Sequence, residues 1–165
     1  GRISEYVDQY PQAIYTPAAP GQEANPLWEH RAQCVFPCAT QNENDQQDAY
    51  HLINNNVKLI CEGASMPCTA EARQIFIDKG ILYGPGKAAN AGGGAGSSLG
   101  LTQNSIRLSW LGEEVDNRLK IIMKGIHDTC LAAAAANGHT GNYLVGANIA
   151  GFIKVADAML DQGVI

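Results

Sequence analysis

Between residues 34 and 83 the chain alternates short continuous apolar runs with segments whose apolar side chains recur every third or fourth position. Cys34-Val35-Phe36 is the first run, and its lack of polar alternation predicts a strand buried on both faces, as in parallel sheets covered by helices. Small and polar residues follow (Pro37 to Glu43), and then Asp45 is placed to cap a helix that turns Ala49, Leu52 and Ile53 to one side. Asn54-Asn55-Asn56 stops that helix, because Asn competes for backbone hydrogen bonds and tolerates left-handed geometry. The unit then repeats. Val57 to Cys61 is a strand, Glu62 to Pro67 its loop, and Thr69 the cap of a helix with Ala72, Ile75 and Phe76 inward and Gly80 as its stop. Ile81-Leu82-Tyr83 is a third strand. Strand, polar loop and helix in this order imply parallel βαβ units with right-handed crossovers, whose ligands bind at the carboxyl ends of the strands.

The flanks read differently. Ile3, Tyr6, Val7 and Tyr10 share a helical face that Pro11 ends, Ala13-Ile14-Tyr15 is expected as a short strand, and residues 17–26 are a breaker-rich surface loop. Leu27 and Trp28 are expected to pin the far end of that loop to the core. After residue 97 helices take over. Leu99, Leu101, Ile106, Leu108 and Trp110 form one, and Glu113-Glu114 open a second that buries Val115, Leu119, Ile122, Met123 and Ile126 and ends at Asn137-Gly138. A last helix lines up Ile149, Phe152, Ile153, Ala156, Met159 and Leu160, a stripe that needs a partner surface in this domain or an adjoining one. The fold expected is α/β: a partial Rossmann-like, doubly wound parallel sheet over residues 1–96, followed by a carboxyl-terminal helical segment, residues 97–165.

Residues 84–98, rich in glycine and alanine, sit between the third strand and the next helix. Composition alone allows a flexible linker. The flanking strand and helix favour a loop where backbone can approach a flat or anionic ligand, since glycine removes the side-chain barrier.

With 165 residues, 45% apolar and 16% charged, the chain can bury one real core. A net charge of −5 without a Lys/Arg cluster argues against a nucleic-acid surface, and no apolar window is expected to reach membrane-span length. The chain opens Gly1-Arg2, without an initiator Met, as an internal segment or a processed product would. The five cysteines lack regular spacing and the four histidines are scattered, which suits free thiols and no metal site. His127 reads as a structural histidine on an apolar face, and Asp157 with Asp161 as a solvated one. There is no nucleophile elbow or Walker loop, and Gly92-Gly93-Gly94-Ala95-Gly96 meets the dinucleotide glycine spacing only in part.

Several long segments nevertheless closely resemble the hexameric glutamate dehydrogenases, the bacterial NADP-dependent branch above all. These are Pro37 to Glu43, Glu62 to Pro67, Pro85 to Gly93, Gln103-Asn104 with Arg107 to Trp110, and Asn142 to Met159. The resemblance implies reversible oxidative deamination of L-glutamate to 2-oxoglutarate and ammonia with NADP(H), NAD being the alternative, in a cytoplasmic homohexamer serving nitrogen assimilation. It also implies that the family's catalytic Lys and Asp, and its phosphate-binding turn, lie upstream of Gly1, so that residues 1–165 alone hold no proton-transfer pair. Residue by residue, Ala39 and Thr40 resemble those beside the nicotinamide and its ribose. Gly63, Ala64 and Ser65 resemble the second cofactor loop, with Ser65 where the family usually has Asn. Asn90 resembles the amide facing nicotinamide and substrate, and Ser97 the hydroxyl that holds a substrate carboxylate. Gly94 stands where the family has a Val that packs on the glutamate methylenes, and Gly100 where a Glu is common. The alternatives are a catalytically inactive, truncated nucleotide-binding module, or a relative acting on another amino acid, branched-chain or phenylalanine.

Overall fold

A computed structural model describes residues 3–17 and 25–163. Three strands, β1 (Cys34–Val35), β2 (Leu59–Cys61) and β3 (Leu82–Gly84), form a parallel sheet in the order β1-β2-β3, with Val35 level with Ile60 and Ile60 level with Tyr83. Parallel neighbours need crossovers. Two of the helices serve that purpose, α2 (Gln46–Asn54) and α3 (Ala70–Asp78).

The repeated unit is explained by its caps. Asp45 accepts the N–H groups of Gln47 and Asp48, while Asp48 answers with its own carboxylate on the Asp45 N–H, a reciprocal capping box. Thr69 accepts the N–H of Ala72 at the start of α3. Gly80 ends the turn after α3 with φ +69°, and Asn56 follows α2 with φ +62°. Between the helices and the sheet lies the core: Val35, Ala49, Leu52, Val57, Ile60, Ala72, Phe76 and Tyr83 are all buried. Phe76 stacks on Tyr83 with ring centroids 6.1 Å apart.

Three strand-region expectations are corrected. Residues 13–15 form no strand: Ile14 is 92% exposed, and three apolar residues without a neighbouring strand cannot satisfy their backbone. β1 is not buried on both faces, because Val35 is covered while Cys34 and Phe36 are exposed. Of the pair expected to pin residues 17–26, Trp28 is buried and donates its indole N–H to the Glu43 carbonyl, whereas Leu27 is exposed. The rest of that loop, residues 18–24, lies outside the described residues. At the amino end, a 3₁₀ turn leads into the single turn of α1 (Tyr6–Gln9), where Tyr6 and Tyr10 stack.

The glycine-rich residues 84–98 are not a loop. α4 (Gly86–Ala89) meets α5 (Ala91–Ile106) at Asn90, so most of the stretch is helical. Each glycine there costs about 1 kcal/mol of helix propensity relative to alanine, which tertiary contact must offset. One such contact is visible: a Cβ on Gly92 would stand 3.3 Å from the sulfur of Met123. The expected boundary between residues 96 and 97 falls inside α5. Arg107, at φ +56°, ends α5 before the expected Trp110. The Trp110 N–H then bonds to Gln103, and its ring carries the Arg118 guanidinium 4.3 Å from its centroid.

α6 (Gly112–Ala136) starts and stops where the pattern indicates, with Glu113 and Glu114 in its first turn. His127 is exposed rather than lodged among apolar neighbours; its ring lies 5.6 Å from that of Tyr143. α7 (Tyr143–Gln162) crosses α6 at Gly146 and also touches β3. Its expected stripe is largely uncovered, with Phe152 73% exposed and Met159 and Leu160 exposed as well. α7 is also long and apolar enough by length and composition to cross a membrane, which corrects the expectation that no window reaches that size. Within the described residues its contacts are mainly with α6.

Candidate functional site

In a parallel sheet all strand carboxyl ends share one edge, and three connections gather there: the loop 36–45 after β1, the loop 62–69 after β2 and, after β3, residues 85–90, the single helical turn of α4 with its caps, which serves as the third loop of the edge. They are bonded to one another rather than merely adjacent. Gly63 and Ala64 donate their N–H groups to the Pro37 carbonyl (2.9 and 3.2 Å), and Asn42 and Asn44 donate to the carbonyls of Met66 and Pro67. Within the first loop, Ala39 N–H bonds to the Glu43 carboxylate at 2.9 Å. Gly63 has no room for a side chain, since a Cβ there would stand 2.3 Å from the Cys38 sulfur.

The second and third loops meet through side chains. Asn90 donates its amide N–H to Ser65 Oγ at 2.9 Å, leaving its Oδ1 on the side of Gly93. Glu62, only 2% exposed, accepts the N–H of Cys68 (3.2 Å) with Oε1 and that of Gly86 (2.6 Å) with Oε2. A cleft of about 440 Å³ opens between these loops, lined by Ser65, Met66, Arg73, Lys87, Asn90 and Ala91 among others. Lys87 also reaches the amide oxygen of Asn148 on α7.

Of the residues singled out from sequence, Ala39, Thr40, Gly63, Ala64, Ser65 and Asn90 all lie on this edge, in bonded loops. Asn90, Gly94 and Ser97 stand at positions i, i+4 and i+7 of a helical run, so they share one face, with Ser97 ~10 Å along the axis from Asn90. Gly94 and Ser97 are exposed, and nothing stands within 4 Å of the Cβ position of Gly94. The residue that sequence reading passed over is Glu62. Its signal was a carboxylate directly following a buried strand, where a buried charge must be hydrogen-bonded.

Beneath the edge lies a cluster of thiol, phenol and carboxylate. Burial pushes the Cys68 thiol up to about 12, helped by the neighbouring Glu62 charge, and burial, then Cys68 and Glu62, drive the Tyr83 phenol above its ordinary range. Cys61 is raised as well, by burial and then by Cys38 and Glu62. Protonated Cys68 is therefore favoured by the folded state, so its stabilising contribution is complete below about pH 9 and is lost as pH rises toward 12. Thermal melts should hold steady from neutral pH to about 8.5 and fall beyond 9. In Cys68→Val the fall should begin at a similar pH but be shallower, because the raised Cys61 and Cys130 thiols remain; an unchanged alkaline profile in that variant would contradict the assignment. All five cysteines are free thiols, and among the described residues no three His, Cys, Asp or Glu side chains gather as a metal-binding group would.

Residues 2–163 match the family described as Glutamate/Leucine/Phenylalanine/Valine dehydrogenase. The chain is 48% identical over 165 residues to the NADP-specific glutamate dehydrogenase of Giardia intestinalis, covering all of this chain and 36% of that protein. It is likewise 48% identical to the NADP-specific glutamate dehydrogenase of Escherichia coli, covering all of this chain and 35% of that one. Among solved structures, the glutamate dehydrogenase of Plasmodium falciparum superposes with a TM-score of 0.90 at 40% identity, over 100% of this chain and 34% of that chain. The chain thus spans about a third of the length of the relatives it matches.

Proposed function

The chain belongs to the glutamate/leucine/phenylalanine/valine dehydrogenase family, and we propose that it forms the nicotinamide-facing part of an NADP-dependent glutamate dehydrogenase. The observation that carries this reading is the bonding of three strand-end segments along one sheet edge, where the second and third form a cleft with Asn90 at its wall. That edge is where ligands of open parallel sheets bind. The NADP-specific glutamate dehydrogenase names of the relatives support NADP over NAD, and L-glutamate, 2-oxoglutarate and ammonia as substrates; a cytoplasmic homohexamer is part of the same proposal and rests on the sequence resemblance alone.

The residues present fit such a cofactor. Gly63 and Gly86 keep the loop backbones close, and a flat ring needs that approach. With its N–H committed to Ser65, Asn90 has its amide oxygen available to accept from a carboxamide or an ammonium. Ala39 and Thr40 offer a small, exposed rim on the opposite loop. When bound, NADP(H) supplies the hydride, and the loops orient it against the substrate carbon. Ser97, on the same helical face as Asn90, holds the substrate carboxylate, and Gly94 lies between them along the substrate methylenes. Residues 1–96 supply the cofactor-facing part and residues 97–165 the helical segment, with α5 joining the two. The proton-transfer pair is contributed by the rest of the polypeptide, so residues 1–165 alone should turn over no 2-oxoglutarate with ammonia and NADPH.

The test is a fluorescence titration of the complete polypeptide with NADPH and NADH separately. NADPH should bind the more tightly; failure of both to bind would overturn the reading. A second outcome concerns Gly94. A valine there has open space and restores an apolar wall, so Gly94→Val should lower KM for 2-oxoglutarate roughly 10- to 100-fold, the range for one small apolar contact. Steady-state kinetics check it, and an unchanged or raised KM would place the substrate elsewhere.

A further inference from the structure

The Glu62 carboxylate belongs to none of the cofactor- or substrate-facing groups named above, yet it is the most deeply buried charged side chain at the sheet edge. Its backbone leaves β2 bonded to β3, the Glu62 N–H donating to the Gly84 carbonyl at 2.9 Å. Its two oxygens then divide between two loops, Oε1 to Cys68 N–H at the far end of the second loop and Oε2 to Gly86 N–H at the start of the third. Ser65 lies between the first pair of anchor points, and Asn90 four residues beyond the second. An acceptor-only group with two oxygens is what two inward-facing N–H donors require; a carboxamide would turn an N–H₂ against one of them. Bonds from backbone N–H to a carboxylate are also shorter and stronger than neutral ones.

We infer that Glu62 is a positioning residue that sets the separation of the second and third cofactor loops and thereby brings Ser65 and Asn90 within hydrogen-bonding distance of each other. This rests on the cofactor reading of the cleft. The Ser65–Asn90 bond is a single exposed contact and cannot hold the two loops in register by itself, since an exposed bond between neutral groups adds only on the order of 1 kcal/mol. Glu62 acts from the floor of the cleft, which it helps to line, through its bonds to Cys68 and Gly86.

The test uses the complete polypeptide and compares Glu62→Gln, Glu62→Asp and Leu52→Ala. Asp keeps the charge but is one methylene too short to reach both donors. Leu52→Ala opens a cavity in the core away from the edge, and it reports what destabilisation alone does. Amide hydrogen exchange should rise in residues 62–69 and 85–91 of both Glu62 variants while Ile60 and Phe76 stay protected. NADPH affinity in these variants should fall about tenfold to hundredfold. Leu52→Ala should keep wild-type affinity at temperatures below its own melt. Unchanged loop exchange in both Glu62 variants, or an equal affinity loss in Leu52→Ala, would overturn the inference while leaving the cofactor reading intact. Absence of NADPH binding by the unaltered protein would remove the cofactor reading itself, and the inference with it.

Discussion

Gly86→Ala should weaken NADPH binding by the complete polypeptide about 5- to 150-fold, the equivalent of a 1–3 kcal/mol packing penalty. A Cβ at this position would stand 2.7 Å from the Ala64 carbonyl oxygen and 3.3 Å from Glu62 Oε2. The first of these is backbone and cannot rotate away. Relief therefore requires the third loop to retreat from the second, which stretches the Gly86–Glu62 bond and draws Asn90 off Ser65. Gly86 has an ordinary φ, so the effect is steric and not a matter of backbone strain. Titration by nicotinamide fluorescence reads the loss, and wild-type affinity in a folded Gly86→Ala protein would show that loop separation is irrelevant to the cofactor.

Gly146→Ala should lower stability by about 3 kcal/mol or more, the upper end of what overpacking costs. At this residue α7 passes closest to α6: a Cβ would lie 2.0 Å from the Cys130 carbonyl oxygen and 3.0 Å from the Ala134 methyl. Both Cys130 and Ala134 are buried, and the obstructing oxygen is part of the helix backbone. α7 must move outward as a body, taking Asn148 away from Lys87 at the rim of the cleft. A denaturant or thermal melt of the variant measures the loss. A shift no larger than that of an exposed alanine substitution would mean that the helices do not cross at this point.

What the sequence disclosed and what it hid follow from the range of the interactions involved. The βαβ repeat was legible because its signals are local: Asp45 and Thr69 cap their helices through hydrogen bonds spanning two or three residues, and Ala49, Leu52, Ala72 and Phe76 take the buried positions that helical spacing assigns them. The glycine-rich segment was misread because its helicity depends on neighbours distant in sequence, such as Met123, which override its poor intrinsic propensity. α7 was misread for the opposite reason. Its large apolar residues promised the contact face, but helices approach most closely over small residues, and Gly146 makes the contact while Phe152 and Met159 stay outside. The loop tips at Ala39, Ala64 and Asn90 were singled out through resemblance combined with the rule for parallel sheets. Glu62 escaped both, because a carboxylate after a strand looks like the start of a surface loop until its two N–H partners are seen.

These three loop tips are held together as a single surface by bonds between the loops, and the functional reading stands on that surface. The most direct measurement is a structure of the complete polypeptide with NADP(H) bound. The nicotinamide should lie in van der Waals contact, within about 4 Å, of the loops bearing Ala39, Ala64 and Asn90, with its carboxamide facing the Asn90 amide oxygen. A nicotinamide seated against any other surface of this chain, or in contact with only one of the three loops, would contradict the account.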